Sequence, residues 1–340
     1  MSSRMKAARY HQTGKPDVIK LEDVPDPVPQ AGEVLLRVKA AAVNRLDVFL
    51  RSGAATMPGW CLPHIGGFDM AGVVEAVGPG VDSKHIGREC VVNARVTGPA
   101  AKGKLDIIGI ARPGGFAEKV AVPVQCLAPK PAHYTWEEAA AFGCVYLTAY
   151  YGLILHARVK PGEVVLVHAA GSGAGTAAIQ VAKAAGATVI TTAGSDEKCA
   201  KAREVLGADH VVNYKTTDFT KVVQDVTGGR GVDVCFDPVW GETATKTQEA
   251  LGFRSRWIVL GMVGGQNASL AAATLLFKEI TLRGIVEFYS DEAEIAGAWS
   301  LAHKKLVKPI IAKAWPLAQT AEAHRQMEQG DFFGKIAVVP

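Results

Sequence analysis

Between residues 162 and 286 short apolar runs alternate with helix-length segments, and this alternation narrows the fold more than any other feature of the chain. Strands are expected at 163–168, 188–192, 210–213, 232–236, 256–260 and 281–286. Helices are expected between them, at 176–185, 196–206, 219–227, 242–251 and 271–277. A strand that returns parallel to its predecessor needs a crossover of helix length, so six such strands imply an α/β fold built on a doubly wound sheet of six parallel strands.

The first of these strands runs into a turn of small residues, HAAGSGAGTAAIQ at 168–180. Glycines there allow a tight turn and let backbone N–H groups and a helix N-terminus approach a pyrophosphate. The dinucleotide pattern can be set on Gly171, Gly173 and Thr176, or on Ala170, Ser172 and Gly175. Either setting leaves Gly171, Ser172, Gly173, Ala174 and Gly175 as the expected phosphate contacts. Position after a buried strand, with five more strands to follow, favours a cofactor cradle over a turn that merely packs helix on sheet.

A second strand that holds an NAD ribose normally ends in an acid about 20 positions after the glycines. Here the tip reads Thr192, Ala193, Gly194, Ser195, and Asp196 falls in the first turn of the next helix, where a carboxylate complements the helix dipole. Ser195 can bond a 2′-phosphate, Lys198 can neutralise it, and Tyr214 can wall the adenine. Gly194, Ser195, Lys198 and Tyr214 therefore point to NADPH as cofactor.

Before residue 162 the texture is β-rich and broken by proline and glycine, with strands expected at 5–10, 34–42, 72–77, 91–95 and 115–122 and long loops at 53–67 and 97–113. A helix is expected at 136–151 behind Thr135 as cap, and the tail reads as helices at 292–305 and 321–329 before a strand at 335–339 that can pair back into the N-terminal part. At 340 residues the chain has room for two cores. Its net charge of +4 is mild and dispersed, so no nucleic-acid partner is expected. No secretory signal or membrane-spanning run is expected either, and the scattered cysteines suit reduced thiols in a cytoplasmic protein.

Several runs together resemble the quinone oxidoreductase-like branch of the medium-chain dehydrogenase/reductase superfamily: VKAAAVNRLDVFLRSG at 38–53, GFDMAGVVEAVG at 67–78, GGFAE at 114–118, LTAY at 147–150 and GADHVVNY at 207–214. The resemblance spans essentially the whole chain. It implies a GroES-like β-rich catalytic domain formed by 1–126 and 288–340, a Rossmann domain at 127–287, a cleft between them, and a homodimer paired through the last Rossmann strand, 281–286.

The same superfamily includes zinc alcohol dehydrogenases. By resemblance, Asn44 and Phe68 stand at two metal-ligand positions, Asp69 survives beside them, and Cys144 stands at a third. One thiolate and one carboxylate make a poor zinc site, which needs about three protein ligands. Cys90 is alone where a structural zinc lobe would lie, and His64 reads better as a loop or core histidine than as a ligand. No metal is expected.

Chemistry then rests on placing a hydride donor against an acceptor. The resemblance puts Asn44 beside the nicotinamide, with Asp47 orienting it or serving only the helix turn. It puts Thr148 at the carboxamide, the alternative being a buried helix hydroxyl. Met262 and Phe288, after the fifth and sixth strands, are expected cofactor contacts. Lys335 is either a basic residue reaching the cofactor or a solvated lysine. Phe49 replaces a family tyrosine, with Tyr146, Tyr150 and Tyr151 as substitutes near the cleft. The resemblance thus implies an NADPH-dependent, zinc-independent reductase of a quinone or related electron-poor carbonyl compound. An enone or enoyl C=C reductase, a non-catalytic NADPH-binding protein and, last, a zinc alcohol dehydrogenase are the alternatives.

Overall fold

The computed structural model describes residues 3–96 and 105–340. The expected loop at 97–113 lies partly outside the described residues. The chain divides into two compact units, Met1–Cys144 with Pro309–Pro340, and Val145–Lys308. Both breaks fall later in the chain than the expected ones at 126/127 and 287/288.

Unit 1 opens on β1 (Arg4–Arg9), β2 (Lys20–Pro25) and β3 (Glu33–Val43), followed by α1 (Arg45–Ser52), β4 (Asp69–Val77), β5 (Glu89–Val92), β6 (Lys119–Pro123), β7 (Leu127–Pro129) and the first part of α2 (Trp136–Tyr150), whose residues from Val145 on belong to unit 2. β1 and β2 form an antiparallel pair of their own. β3 is the hub of the larger sheet because its apolar run, Val34 to Val43, is buried on both faces through much of its length. It pairs antiparallel with β4 and with β6. Gly72 in β4 is required where it stands: a methyl there would drive into the carbonyl of Arg37 on β3.

Thr135 caps α2 as the sequence implies, exchanging bonds with Glu138 in a capping box. Residues 136–156 are apolar and long enough to cross a membrane by length and composition, yet 67% of an apolar 18-residue window within them is buried inside the protein. The stretch is a core helix.

Unit 2 contains β8 (Val164–Val167), α3 (Gly173–Ala184), β9 (Thr188–Ala193), α4 (Asp196–Glu204), β10 (His210–Asn213), α5 (Phe219–Thr227), β11 (Val232–Asp237), α6 (Glu242–Ala250), β12 (Leu251–Val259), α7 (Ala272–Phe277), β13 (Thr281–Gly284) and α8 (Glu292–His303). The strand order is β10-β9-β8-β11-β12-β13, and every pair is parallel. This is the doubly wound arrangement that the alternation implies, with its switch of direction between β8 and β11. All four residues of β8 are buried because helices cover both faces of such a sheet. Phe219 and Val223 of α5 and Ala244 of α6 pack with Leu166, Ile190, Val212 and Trp257 in one core. The Trp257 ring is wholly buried, and its N–H donates to Asp237 Oδ2 at 3.1 Å, which satisfies the one polar atom that burial would strand. β13, by contrast, is an edge strand whose four residues are all exposed.

The chain then returns to unit 1 as β14 (Ile311–Pro316), α9 (Thr320–Gln329) and β15 (Lys335–Val339). β15 runs antiparallel to β3 and carries β14 beside it, so the tail strand does pair back into the N-terminal part. Of the strands, β2, β7 and β14 were not expected. Each is short and, β7 apart, largely exposed, without the apolar alternation that marks a half-buried strand. All six cysteines are free thiols.

Candidate active site

Four of the residues singled out by sequence belong to one buried cluster in unit 1. The register of β15 on β3, Ile336 opposite Val43, brings Lys335 to the end of β3 where Asn44 begins α1. β4 starts at Asp69, paired with Ala42 of the same strand. Asn44, Asp69 and Lys335 are therefore delivered to one spot by backbone ladders, and they are 6%, 3% and 3% exposed.

Their polar atoms close a ring. Lys335 Nζ donates to Asn44 Oδ1 at 2.6 Å and to Asp69 Oδ2 at 3.0 Å, and Asn44 Nδ2 donates to the same Asp69 Oδ2 at 2.8 Å. Asp69 Oδ1 accepts the N–H of Cys144 in α2 at 2.8 Å. The helix comes this close because residue 143 is glycine: a Cβ there would sit 2.5 Å from Asp69 Oδ1. Lys335 is accordingly no solvated lysine. Its ammonium is the counter-ion of a buried carboxylate.

Asp47, the third residue of α1, reaches back so that its Oδ2 accepts the Asn44 N–H at 2.8 Å, while its Oδ1 accepts the Gly67 N–H at 3.0 Å. It ties the start of α1 to the loop before β4. Asp47 also borders a cavity of about 10 Å³ with Tyr10, His64 and His324, room for about one water molecule. Burial pushes its carboxyl up to about 7, against the opposing pull of the two N–H groups and of Lys335.

A carboxyl whose folded value stands above its unfolded one favours the protonated fold. Asp47 thus stabilises most below about pH 4 and loses that contribution as the pH rises towards 7. Asp47→Asn has no proton to exchange in this window. The stability of the wild type relative to that variant is expected to fall between about pH 4 and pH 7, by at most about 1.4 kcal/mol per pH unit. Paired urea denaturation series across this range check it, and a flat difference would refute it.

His64 is a core histidine, bonded to the Gly109 carbonyl at 3.1 Å and edge-on to Tyr10, with burial holding it down to about 4. Phe68 is buried beside Asp69. The donor set at the expected metal-ligand positions is thus an amide, a phenyl ring, a carboxylate already bonded to an ammonium, and a thiol. It does not fit a zinc ion. Among the described residues, no group of three or more His, Cys, Asp or Glu is placed to hold a metal.

Unit 2 carries the turn that the sequence marks as a candidate cradle. Ala169 leaves β8 with φ 58°, a left-handed turn that its N–H steadies by donating to Thr192 Oγ1 at 3.3 Å. Ser172 caps α3, its Oγ accepting the Gly175 N–H at 2.9 Å, which leaves the hydroxyl proton free for a phosphate oxygen. A methyl at Gly175 would run into the Ala169 carbonyl. Gly175 therefore admits no side chain. The first-turn N–H groups of α3, at Gly173 and Ala174, precede any intrahelical acceptor and are available to an anion. His168 does not join them: it is buried between the hydroxyls of Thr192 and Thr247 at 3.1 and 2.9 Å, and burial lowers its pKa.

At the tip of β9, Ser195 caps α4 by accepting the Lys198 N–H. Tyr214 leans over Gly194 so closely that a Cβ there would lie 2.7 Å from its hydroxyl. Asp196 is turned outward, its Oδ1 accepting Asn213 Nδ2 at 2.8 Å. Met262 follows β12 and is exposed, and Phe288 follows β13 and is buried. Thr148 is buried on α2, in the part of that helix that belongs to unit 2. Tyr146, one of the suggested substitute donors, has its hydroxyl committed: it donates to the Lys308 carbonyl at 2.8 Å and accepts from Gln180. The Tyr150 hydroxyl is packed against Gly297 of α8. Sequence reasoning named Asn44, Asp69 and Lys335 one by one but missed that they are one network.

Comparison with known proteins agrees with this architecture. Residues 30–132 match the model of the alcohol dehydrogenase GroES-like domain, and residues 173–304 match that of the zinc-binding dehydrogenase. Curated relatives include quinone oxidoreductase of Rattus norvegicus, 32% identical over 95% of this chain and 94% of its own length. Another is 2-haloacrylate reductase of Burkholderia sp, 30% identical over 98% of each chain. Among solved structures, an NAD-dependent alcohol dehydrogenase aligns with a TM-score of 0.92 at 36% identity over 99% of this chain and 100% of its own. A mycobacterial protein complexed with NADPH aligns at 0.83 and 29% identity, over 99% of this chain and 100% of its own. The chain belongs to the quinone oxidoreductase-like branch of the medium-chain dehydrogenase/reductase superfamily, and it is an oxidoreductase.

Proposed function

We propose that this oxidoreductase uses NADPH, without zinc, to reduce a quinone or a related electron-poor carbonyl compound. The observation that carries the reading is the ring of Asn44, Asp69 and Lys335, in which an ammonium neutralises the carboxylate that a metal ion would otherwise need. When bound, the nicotinamide supplies the hydride. The chain supplies the cradle of Gly171, Ser172, Gly173, Ala174 and Gly175, the β9 tip, and a polar cluster in unit 1.

NADPH is favoured over NADH because β9 ends on Thr192 and Ala193, followed by Gly194 and Ser195, with no acid at its tip. Asp196 is bonded to Asn213, and Ser195 at the cap of α4 and Lys198 in its first turn are the residues this reading assigns to a 2′-phosphate, with Tyr214 close over Gly194. Lys198→Ala is expected to weaken NADPH binding about tenfold, as losing one charge-assisted hydrogen bond does, and to leave NADH binding unchanged. Fluorescence titration with both cofactors checks this. Tighter binding of NADH by the wild type would overturn the NADPH assignment, which matters because one structural neighbour is named as NAD-dependent.

Reduction of an activated C=C bond is the second reading, favoured by the relative named 2-haloacrylate reductase. Anaerobic NADPH oxidation measured against a quinone panel and an enone panel separates the two.

We also propose that two copies pair through β13. Leu282 and Val286 are 41% and 44% exposed along this edge, with Leu276 and Phe277 at 69% and 79% nearby. An apolar edge strand of this kind invites a partner strand. Light scattering should give twice the chain mass, and Leu282→Lys should halve it; a wild-type monomer at micromolar concentration would sink the proposal.

A further inference from the structure

The left-handed backbone at Ala169, φ 58°, is a conformation that alanine keeps only where its surroundings hold it. One residue does the holding. The Thr192 carbonyl accepts the Ala170 N–H at 2.8 Å, and Thr192 Oγ1 accepts the Ala169 N–H at 3.3 Å. The Ala169 carbonyl in turn accepts the N–H of Ser172, the cap of α3, at 2.9 Å. The direction of the Thr192 hydroxyl is set from further off. Thr247 Oγ1 in α6 has one proton and donates it to the Thr243 carbonyl at 2.9 Å. Towards His168 Nε2, also 2.9 Å away, Thr247 can therefore only accept, so Nε2 carries the ring proton. The other tautomer would set a bare nitrogen against a hydroxyl whose proton is spent. Burial keeps the ring neutral against the pull of Asp237, which leaves Nδ1 without a proton. Nδ1 then accepts the Thr192 hydroxyl proton at 3.1 Å, and the lone pairs of that oxygen are left to the Ala169 N–H.

We propose that His168 is a positioning residue for cofactor binding. Held as the Nε2–H tautomer by Thr247, it takes the Thr192 hydroxyl proton at Nδ1, turns that oxygen to the Ala169 N–H, and so fixes the turn from which α3 starts. The relay runs one way, from the Ala169 N–H through Thr192, His168 and Thr247 to the Thr243 carbonyl, and every member lies in unit 2. Thr192, His168 and Thr247 are 3%, 1% and 0% exposed, so water does not compete for these bonds. The inference rests on the reading of this turn as the NADPH cradle. His168 touches no phosphate in this account and moves no proton. It acts on the Gly173 and Ala174 N–H groups only through the place it gives the turn.

The test titrates NADPH calorimetrically into Thr192→Val, Thr192→Ser, His168→Leu and the double variant His168→Leu/Thr192→Val. Thr192→Val removes the hydroxyl and is expected to raise the Kd about three- to tenfold, as loss of one buried neutral hydrogen bond does. His168→Leu should do the same. Thr192→Ser, which keeps the hydroxyl, should bind within about twofold of the wild type. The double variant should bind no more weakly than either single, because both substitutions remove one link. Additive losses would make His168 a packing residue and overturn the proposal. Gly175→Ala distinguishes this failure from failure of the cradle reading. If Gly175→Ala weakens binding and Thr192→Val does not, the relay alone is overturned. If neither weakens it, the turn is no cradle and the proposal falls with that reading.

A second measurement needs neither cofactor nor a core substitution at His168. The chain has nine histidines, so ¹⁵N-histidine labelling yields nine rings, and long-range ¹H–¹⁵N correlations tell a protonated ring nitrogen from a bare one. The ring whose signals move in Thr247→Val is His168. In the wild type at neutral pH it should show Nε2 protonated and Nδ1 bare, and Thr247→Val should shift it towards the opposite tautomer. A wild-type ring protonated at Nδ1 would overturn the relay, whatever the Kd values.

Discussion

Asp69→Ala is expected to cost about 3–5 kcal/mol of folding stability and to lower the melting temperature by roughly 6–20 °C. The carboxylate is 3% exposed and accepts three hydrogen bonds, from Asn44 Nδ2, Lys335 Nζ and the Cys144 N–H. Deleting it leaves an ammonium buried without its counter-ion and strips an acceptor from a mid-helix N–H. Removing one partner of a buried pair is far costlier than removing both. Glu197→Ala provides the contrast. Its pair with Lys201 lies on the surface of α4, at 75% and 46% exposed, where solvent screening leaves it little to contribute. Chemical denaturation of both variants measures the difference. A loss below about 1 kcal/mol for Asp69→Ala would show that the ring contributes little to the fold.

Gly175→Ala is expected to weaken NADPH binding about 10–100-fold. The added methyl points into the Ala169 carbonyl, which is backbone and has no rotamer to change. Relief requires the start of α3 to move off the end of β8, and overpacking of this kind costs about 1–3 kcal/mol. That movement shifts the first-turn N–H groups of α3 and the Ser172 cap together, so the strain is read as cofactor affinity at about 1.4 kcal/mol per decade. Calorimetric titration of NADPH into the variant checks it. An unchanged Kd would mean that the phosphates do not depend on this turn.

These two residues mark what the sequence reveals and what it withholds. Gly175 lies in a local pattern. Strand, turn and helix are contiguous, and burial of β8 on both faces leaves an uninterrupted apolar run that can be read directly. Only the close approach that excludes a side chain at Gly175 needed coordinates, because the left-handed turn is made by Ala169, a residue type that gives no warning of it. The ring of Asn44, Asp69 and Lys335 is the opposite case. Each residue is visible, but their meeting depends on the β3–β15 register, between segments at opposite ends of the chain. No spacing rule encodes that. Tyr146 is similar: nothing in its neighbours along the chain tells that its hydroxyl is held by the Lys308 carbonyl. Short strands such as β14, with Lys313 and little burial, escape for a plainer reason, since they bury too little to leave a pattern.

The pairing of β15 with β3 also sets a timetable for synthesis. The 266 residues that separate Asp69 from Lys335 take roughly 13–50 s to make at about 5–20 residues per second. All of unit 2 leaves the ribosome in that interval and can fold on schedule. Unit 1 cannot: β3 lacks a neighbour strand, and the Asp69 carboxylate lacks the cation that makes its burial tolerable. Until β15 emerges, the nascent chain carries an open sheet edge at β3, the feature that holding chaperones recognise and that aggregation exploits. The demand that this enzyme makes on the cell's folding machinery is therefore set less by its size than by where in the chain one lysine was placed.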